Sequence, residues 1–144
     1  MEIRKAIPSD SAALAALAGR MWDADPAELQ AEFVSLTADA EAACFLALDG
    51  ETPVGFAQCQ LRHDYVEGCE TSPVGFLEGI YVEEAFRRSG VAKMLLAACE
   101  GWAASAGCTE FASDCELGNE QSLQWHLNNG FAEMGRTIWF AKKL

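Results

Sequence analysis

Two groups of residues in this chain have the types and spacing to do chemistry: a short run that can cradle an anion, and a pair of carboxylates that can hold a cation and take its proton. The run is Arg87-Arg88-Ser89-Gly90-Val91-Ala92, between an apolar β-like stretch (Leu77 to Val82) and a helical pattern. Val91, Met94, Leu95, Ala98 and Trp102 recur at helical spacing, and Arg87, Arg88 and Lys93 cluster at the start. The first amides of a helix lack acceptors and the macrodipole adds about half a positive charge there, so a phosphate satisfies both. Gly90 lets backbone approach it with no Cβ between them. An ordinary strand-to-helix connection with surface arginines has the same local pattern. Neither a P-loop nor a GxGxxG fingerprint occurs, which disfavours P-loop nucleotides and dinucleotides.

The carboxylates are Glu78 and Asp114. Within Val74 to Val82, strict alternation places Phe76, Glu78, Ile80 and Val82 on one face, with Glu78 the one charge in an apolar row. Such a carboxylate needs a cation, donors or water, unless the position is an edge facing solvent. Gly79 beside it signals a bulge or a close backbone approach. Asp114 ends the next strand and Glu116 lies two residues on. Strand-end carboxylates meeting at one site can bind an ammonium group and relay its proton, although either acid alone is more often structural than catalytic. The base has work to do. An alkyl amine near the lysine reference pKa of about 10.4 is only about one part in 2,500 neutral at pH 7, a deficit of roughly 4.6 kcal/mol against nucleophilic attack.

The elements that must position these groups follow from pattern and punctuation. A strand at Ile3 to Ile7 leads to a helix capped by Ser9 or Asp10, with Leu14, Leu17, Ala18, Met21 and Trp22 at helical spacing. Asp25-Pro26-Ala27-Glu28 starts a second helix, with Leu29, Phe33 and Leu36 on its apolar face. Trp22 then stands at a helix–helix corner. Ala43 to Leu48 and Pro53 to Leu61 flank an Asp49-Gly50 hairpin turn, and Val74 to Val82 extends the meander after a polar, acidic loop from Arg62 to Ser72. Ala106-Gly107 ends the long helix, Glu110 to Asp114 is a strand, Asn119 to Asn128 a helix, and Phe131 to Arg136 and Thr137 to Lys142 two closing strands. This order predicts an α/β chain with a mixed, mainly antiparallel sheet and helices on both faces.

At 144 residues and 51% hydrophobic, the chain is expected to form one domain spanning 1–144 with a core large enough to need no staples. No stretch approaches the ~18 apolar residues of a membrane span, and no leader is evident, which gives a cytoplasmic reading. The formal charge of −12 argues against nucleic acid and anionic membranes as partners and suits a cationic ligand, as well as plain solubility. Six cysteines without a CxxC pair and only two histidines predict reduced thiols and no metal site.

Arg87-x-x-Gly90-x-Ala92 after a strand resembles the acyl-CoA pyrophosphate loop of the GNAT acetyltransferase superfamily, and Asn119, Ser122, Leu123 and Asn129-Gly130-Phe131 resemble its later motif. Over essentially its full length the chain is similar to the aminoglycoside 6′-N-acetyltransferases of that superfamily, in the runs 61–68, 77–80, 110–117 and 125–128. The resemblance implies a GNAT fold, acetyl-CoA as cosubstrate and an aminoglycoside as acceptor. It implies that Ile80, Tyr81 and Val82 hold acetyl and pantetheine, the Ile80 amide polarising the thioester carbonyl. It places Arg87, Arg88, Ser89, Gly90, Val91 and Ala92 on the pyrophosphate, Asn119 on the pantetheine arm, and Trp22, Tyr65, Glu78 and Asp114 around the antibiotic. It also implies a homodimer. Many GNAT enzymes carry a tyrosine as general acid three residues after the position of Leu123; here that position is His126, whose imidazole can donate a proton or be structural. A GNAT enzyme for a polyamine or another small cationic amine, or a non-catalytic acyl-CoA-binding module, shares the CoA features.

Overall fold

In the computed structural model, which describes residues 1–144, strand β1 (Glu2–Lys5) passes through a 3-10 turn at Pro8–Asp10 into helix α1 (Ser11–Ala18), and helix α2 (Pro26–Ala38) follows. Strands β2 (Ala42–Asp49), β3 (Thr52–Arg62) and β4 (Val74–Val82) form a meander, helix α3 (Val91–Ser105) crosses back, and β5 (Phe111–Ser113) and helix α4 (Glu120–Asn128) come last. The sheet runs β1-β2-β3-β4-β5, antiparallel as far as β4 and parallel between β4 and β5. The mixed sheet with helices on both faces is as expected.

Local chemistry accounts for most boundaries. The Asp25 carboxylate accepts from the Glu28 amide at 3.1 Å and Pro26 opens α2, so one orphan donor is satisfied and the missing N–H of proline costs nothing. At α1 the expected cap is used differently: Asp10 accepts from both Arg4 guanidinium nitrogens (2.8 and 2.9 Å) and from the Ile7 amide, tying β1 to the helix start.

The helices bury the two faces of the sheet. On one face Leu14, Leu17, Leu29 and Phe33 pack on Cys44, Leu46 and Phe56, with Trp22 and Phe33 both edge-on to Phe56 at 6.0 and 5.9 Å. On the other, α3 lays Val91, Leu95, Leu96 and Cys99 on Ala43, Ala57, Leu77 and Val82. The buried row Val91-Leu95-Cys99-Ala103 steps by four, so the inward face is rotated from the expected one and Met94 turns outward. Truncating a side chain such as Leu95 to alanine here costs about 2–5 kcal/mol.

The closing strands at Phe131 to Arg136 and Thr137 to Lys142 are not formed. Residues 131–144 carry no regular secondary structure, and β5 shrinks to three residues as the outermost strand. Phe131 packs near Phe111 and Trp125, and Met134 lies over Gly68; beyond, Ile138, Trp139 and Phe140 are 72, 88 and 91% exposed. β-propensity makes a segment competent to pair, but only a strand beside it creates the ladder.

Candidate active site

The site begins where the sheet opens. The parallel ladder joins Gly75 to Phe111, Phe76 to Ala112 and Leu77 to Ser113, then stops. Glu78 and Asp114 are the next residue on each strand, so the two carboxylates flank the opening. From Gly79 to Val82, β4 pairs with β3 on one side and has no strand on the other.

A bulge decides which way Glu78 faces. Gln58 lies opposite Gly79 and Cys59 opposite Leu77, leaving Glu78 as the extra residue of β4. The expected single face of Phe76, Glu78, Ile80 and Val82 is therefore broken: Ile80 and Val82 join Leu77 in the α3 core, whereas Glu78 turns to the α1–α2 side. There it lines an open cleft of about 310 Å³ with Trp22, Ala24, Leu29, Glu32 and Gln58. A β-carbon on Gly79 would fall 2.6 Å from Trp22 Cζ2, so the glycine is what lets the indole lie directly on the strand.

Glu78 already has a cation. Arg62 donates through Nε (3.1 Å) and Nη2 (2.8 Å) to Oε1 and through Nη2 (3.1 Å) to Oε2, while its guanidinium sits 3.5 Å over the Phe76 ring. The buried-charge argument required such a partner, and Arg62, read from sequence only as the start of a loop, supplies it. Glu32, also missed, adds a second acid to the cleft at a position where α2 spacing alone reads as solvent-facing. Asp114 and Glu116 are exposed and carry no ion pair. Tyr65 is 77% exposed on the loop after β3 and, like Asp114, does not line the Trp22–Glu78 cleft. That loop is pinned by Glu110, whose carboxylate accepts from the Thr71 hydroxyl and the Glu70 and Thr71 amides; these bonds, the Thr71 hydroxyl foremost, hold it below the ordinary carboxylate range.

On the far side of the opening, Arg88 (φ 63°) and Gly90 (φ 85°) both adopt the left-handed conformation. The first backbone donor of the helix is Met94, bonded to the Gly90 carbonyl at 3.0 Å, so the amides of Arg88 to Lys93 have no backbone acceptor. Alternating left-handed residues ahead of a helix make a concave nest of amides suited to phosphate oxygens. Arg87 fixes the loop by donating from Nε to the Val82 carbonyl at 2.8 Å, and the Ser89 hydroxyl donates to the Phe86 carbonyl. No protein atom lies within 4 Å of a β-carbon built on Gly90.

Asn119 caps α4 through Oδ1, which accepts from the Ser122 amide at 3.1 Å, leaving its amide nitrogen to other partners. His126 is held at both nitrogens. Nδ1 donates to the Ser122 carbonyl (2.7 Å), and Nε2 lies in hydrogen-bond contact with the Ser113 hydroxyl (2.8 Å). Ser113 Oγ is also 3.4 Å from the Leu77 carbonyl, the last rung of the ladder. Ser113 was not singled out in the sequence; only its place between Phe111 and Asp114 at a strand end pointed to it. The buried thiols Cys44 and Cys99 are not poised for chemistry: burial pushes Cys44 up to about 12, and a hydrogen bond with Cys59 together with burial raises Cys99.

The sequence profile of the acetyltransferase (GNAT) family matches residues 12–131. The chain belongs to the GNAT acetyltransferase family. Among GNAT relatives, the aminoglycoside N(6′)-acetyltransferase type 1 of Stenotrophomonas maltophilia is 50% identical over 99% of this chain and 93% of its own length. The apo crystal structure of the aminoglycoside antibiotic 6′-N-acetyltransferase AAC(6′)-Ig from Acinetobacter haemolyticus is 40% identical and superposes with a TM-score of 0.94 over 100% of this chain and 99% of that one. A second solved GNAT structure, AAC(6′)-Iy in complex with the bisubstrate analogue CoA-S-monomethyl-acetylneamine, is 36% identical with a TM-score of 0.92 over 99% and 98%.

Proposed function

We propose that this chain, as a single GNAT domain over 1–144, transfers the acetyl group of acetyl-CoA to the 6′-amino group of an aminoglycoside, in the cytoplasm and as a homodimer, by direct transfer in a ternary complex. The observation that carries the proposal is the juxtaposition at the end of the β4–β5 ladder: an acid-lined cleft around Trp22 and Glu78 on one side, unpaired β4 backbone in the middle, and the amide nest of Arg88 to Lys93 on the other. That order suits a cationic amine, a thioester and a pyrophosphate. The names of the 36 to 50% identical relatives support the same substrates.

In this reading the Arg87–Ala92 loop binds the pyrophosphate and Tyr81 and Val82 hold the pantetheine, with Asn119 meeting it through its free amide nitrogen. The Ile80 amide stabilises the oxyanion, a term worth about 3–4 kcal/mol for one well-placed donor. Glu78, Glu32 and Asp114 attract the ammonium group, Trp22 and Tyr65 contact the sugar rings, and Asp114, which has no competing arginine, accepts the proton directly or through water. His126 then serves the leaving thiolate through Ser113: the proton on the Ser113 hydroxyl passes to the sulfur, and His126 Nε2, protonated from solvent, returns one to Ser113. No metal enters the reaction.

Thiol release from acetyl-CoA, measured over a panel of aminoglycosides with spermidine alongside, tests the proposal. Turnover of aminoglycosides bearing a 6′-amine is expected, with spermidine slower by orders of magnitude. Efficient acetylation of spermidine alone would make the chain a polyamine acetyltransferase, and binding of acetyl-CoA with no amine acetylated would make it a non-catalytic module.

A further inference from the structure

The acids that draw a cation into the Trp22–Glu78 cleft also oppose the reaction. An amine must shed its proton before it can attack a thioester, yet each carboxylate beside it favours the charged ammonium form. Glu78 and Glu32 line the cleft, and Asp114 follows the last rung of the ladder at its opening. A site built of acids alone would hold the amine in the form that cannot react. Arg62, the last residue of β3, stands against this row. It lies opposite Val74, so its side chain runs back over Phe76 to reach Glu78, a span that no short side chain covers. The guanidinium rests 3.5 Å over the buried Phe76 ring and from there gives two bonds to Glu78 Oε1 (3.1 and 2.8 Å) and one to Oε2 (3.1 Å). Oε2 thus keeps room for a further donor.

We propose that Arg62 is a charge-balancing residue for acetyl transfer: by neutralising Glu78 it lets that carboxylate orient the acceptor amine through Oε2 without holding the amine protonated. The proposal rests on the acetyl-transfer reading above. An ammonium group bonded to Oε2 stands two hydrogen bonds from the guanidinium, about 5 Å away. At an effective dielectric of about 20, a unit charge at that range displaces a titration by about two units, and by about half as much where solvent reaches the pair. Solvent does reach it, since the two side chains are 38 and 20% exposed. No other group around Glu78 supplies this balance. Glu32 on α2, Asp23 beside Trp22 and Asp114 after β5 are acids, and the loop after β3 adds Asp64, Tyr65 and Glu67. Arg20 is 3.6 Å from Glu83, His63 is 2.8 Å from Glu41, and His126 lies behind Ser113, in contact with its hydroxyl.

Single-turnover acetyl transfer, quenched rapidly between pH 6 and 9 with acetyl-CoA and an aminoglycoside, reads the step without product release. In Arg62→Gln the uncompensated Glu78 raises the pKa of the bound ammonium. The acid limb of the rate should then move to higher pH by about one unit and the rate at pH 7 fall about tenfold, while the steady-state KM for the amine stays level or falls. In Glu78→Gln the unopposed guanidinium should move the limb to lower pH and raise KM. The double variant, which removes both charges, should return the limb close to its original place. Arg62→Lys, which keeps the charge without the fork, should leave the limb unmoved whatever rate it loses. An unmoved limb in Arg62→Gln with a raised KM makes Arg62 a mechanical pin for Glu78 and overturns the proposal, as does a double variant displaced further than Arg62→Gln. Glu78→Gln carries the same test with the sign reversed, so poor folding of Arg62→Gln does not shield the proposal: an unmoved limb there overturns it as well. If the unmodified protein acetylates spermidine and no aminoglycoside, the substrate reading fails, and the same limbs measured with spermidine still decide the role of Arg62. Acetylation of no amine overturns both.

Discussion

Asp114 and Glu78 flank the same gap in the sheet, but Arg62 makes them unequal. A carboxylate gripped by a bidentate guanidinium has both oxygens engaged, whereas Asp114 carries no ion pair, so the two acids should respond differently to neutralisation. Asp114→Asn is expected to lower kcat/KM for the aminoglycoside by about 10²-fold or more, in the range of general-base removal. Glu78→Gln should act mainly on KM for the amine, and both should leave acetyl-CoA affinity near its original value. Steady-state kinetics with each substrate varied separates these outcomes. Equal losses in kcat for both variants would put the base function on the pair. The acids were legible in the sequence because a charge in an apolar strand and a charge at a strand end are local facts. Arg62 and Ser113 were not, since Arg62 reaches Glu78 from 16 residues away and Ser113 meets His126 across 13. Ser113→Ala and His126→Gln are expected to lower kcat to similar extents without additivity in the double variant, because in the proposed relay both act on one proton; additive losses would separate them.

At the scale of elements, two glycines set the geometry for opposite reasons. Gly79 is needed for space: Gly79→Ala would drive a methyl group into Trp22, costing about 1–3 kcal/mol of stability and displacing the indole from the cleft, visible as a lower Tm and a raised KM for the amine. Gly90 is needed for its conformation, having φ 85° and open space around it. Gly90→Val should therefore deform the amide nest and raise the acetyl-CoA KM strongly while the core stays folded; unchanged acetyl-CoA binding by calorimetry would remove the loop from the site. The loop carrying Tyr65 has its own acid sensitivity. Hydrogen bonds hold Glu110 below its ordinary value of 4.5, so its contribution is fully present above that value and is lost as pH falls through the lower folded value. Hydrogen exchange of residues 70 and 71 should accelerate on that acid limb in the native chain and be fast at all pH values in Glu110→Gln. The meander was readable to within a residue or two because Asp49-Gly50 and period-two alternation are local signals. The β4 bulge was only half readable: Gly79 announced it, but the direction in which Glu78 turns depends on the register with β3.

For the whole molecule, the charge pattern and the last residues matter most. With a formal −12 distributed over the surface, attraction of a polycationic substrate should weaken as salt rises, since exposed charges are screened over about 8 Å at physiological ionic strength, and kcat/KM should fall while kcat changes little. A flat response would leave the charge with solubility alone. The closing strands could not be settled from sequence because a strand is a relation between two segments, and 131–144 finds none within its own chain. The central claim is that the cleft beside the β4–β5 opening delivers one amine, the 6′-amine, to acetyl-CoA. It is tested most directly by NMR of the product formed from acetyl-CoA and an aminoglycoside with several free amines. The account predicts a single acetyl group on N6′ and no product from a 6′-hydroxyl analogue; acetylation at another nitrogen, or equal turnover of that analogue, would contradict it.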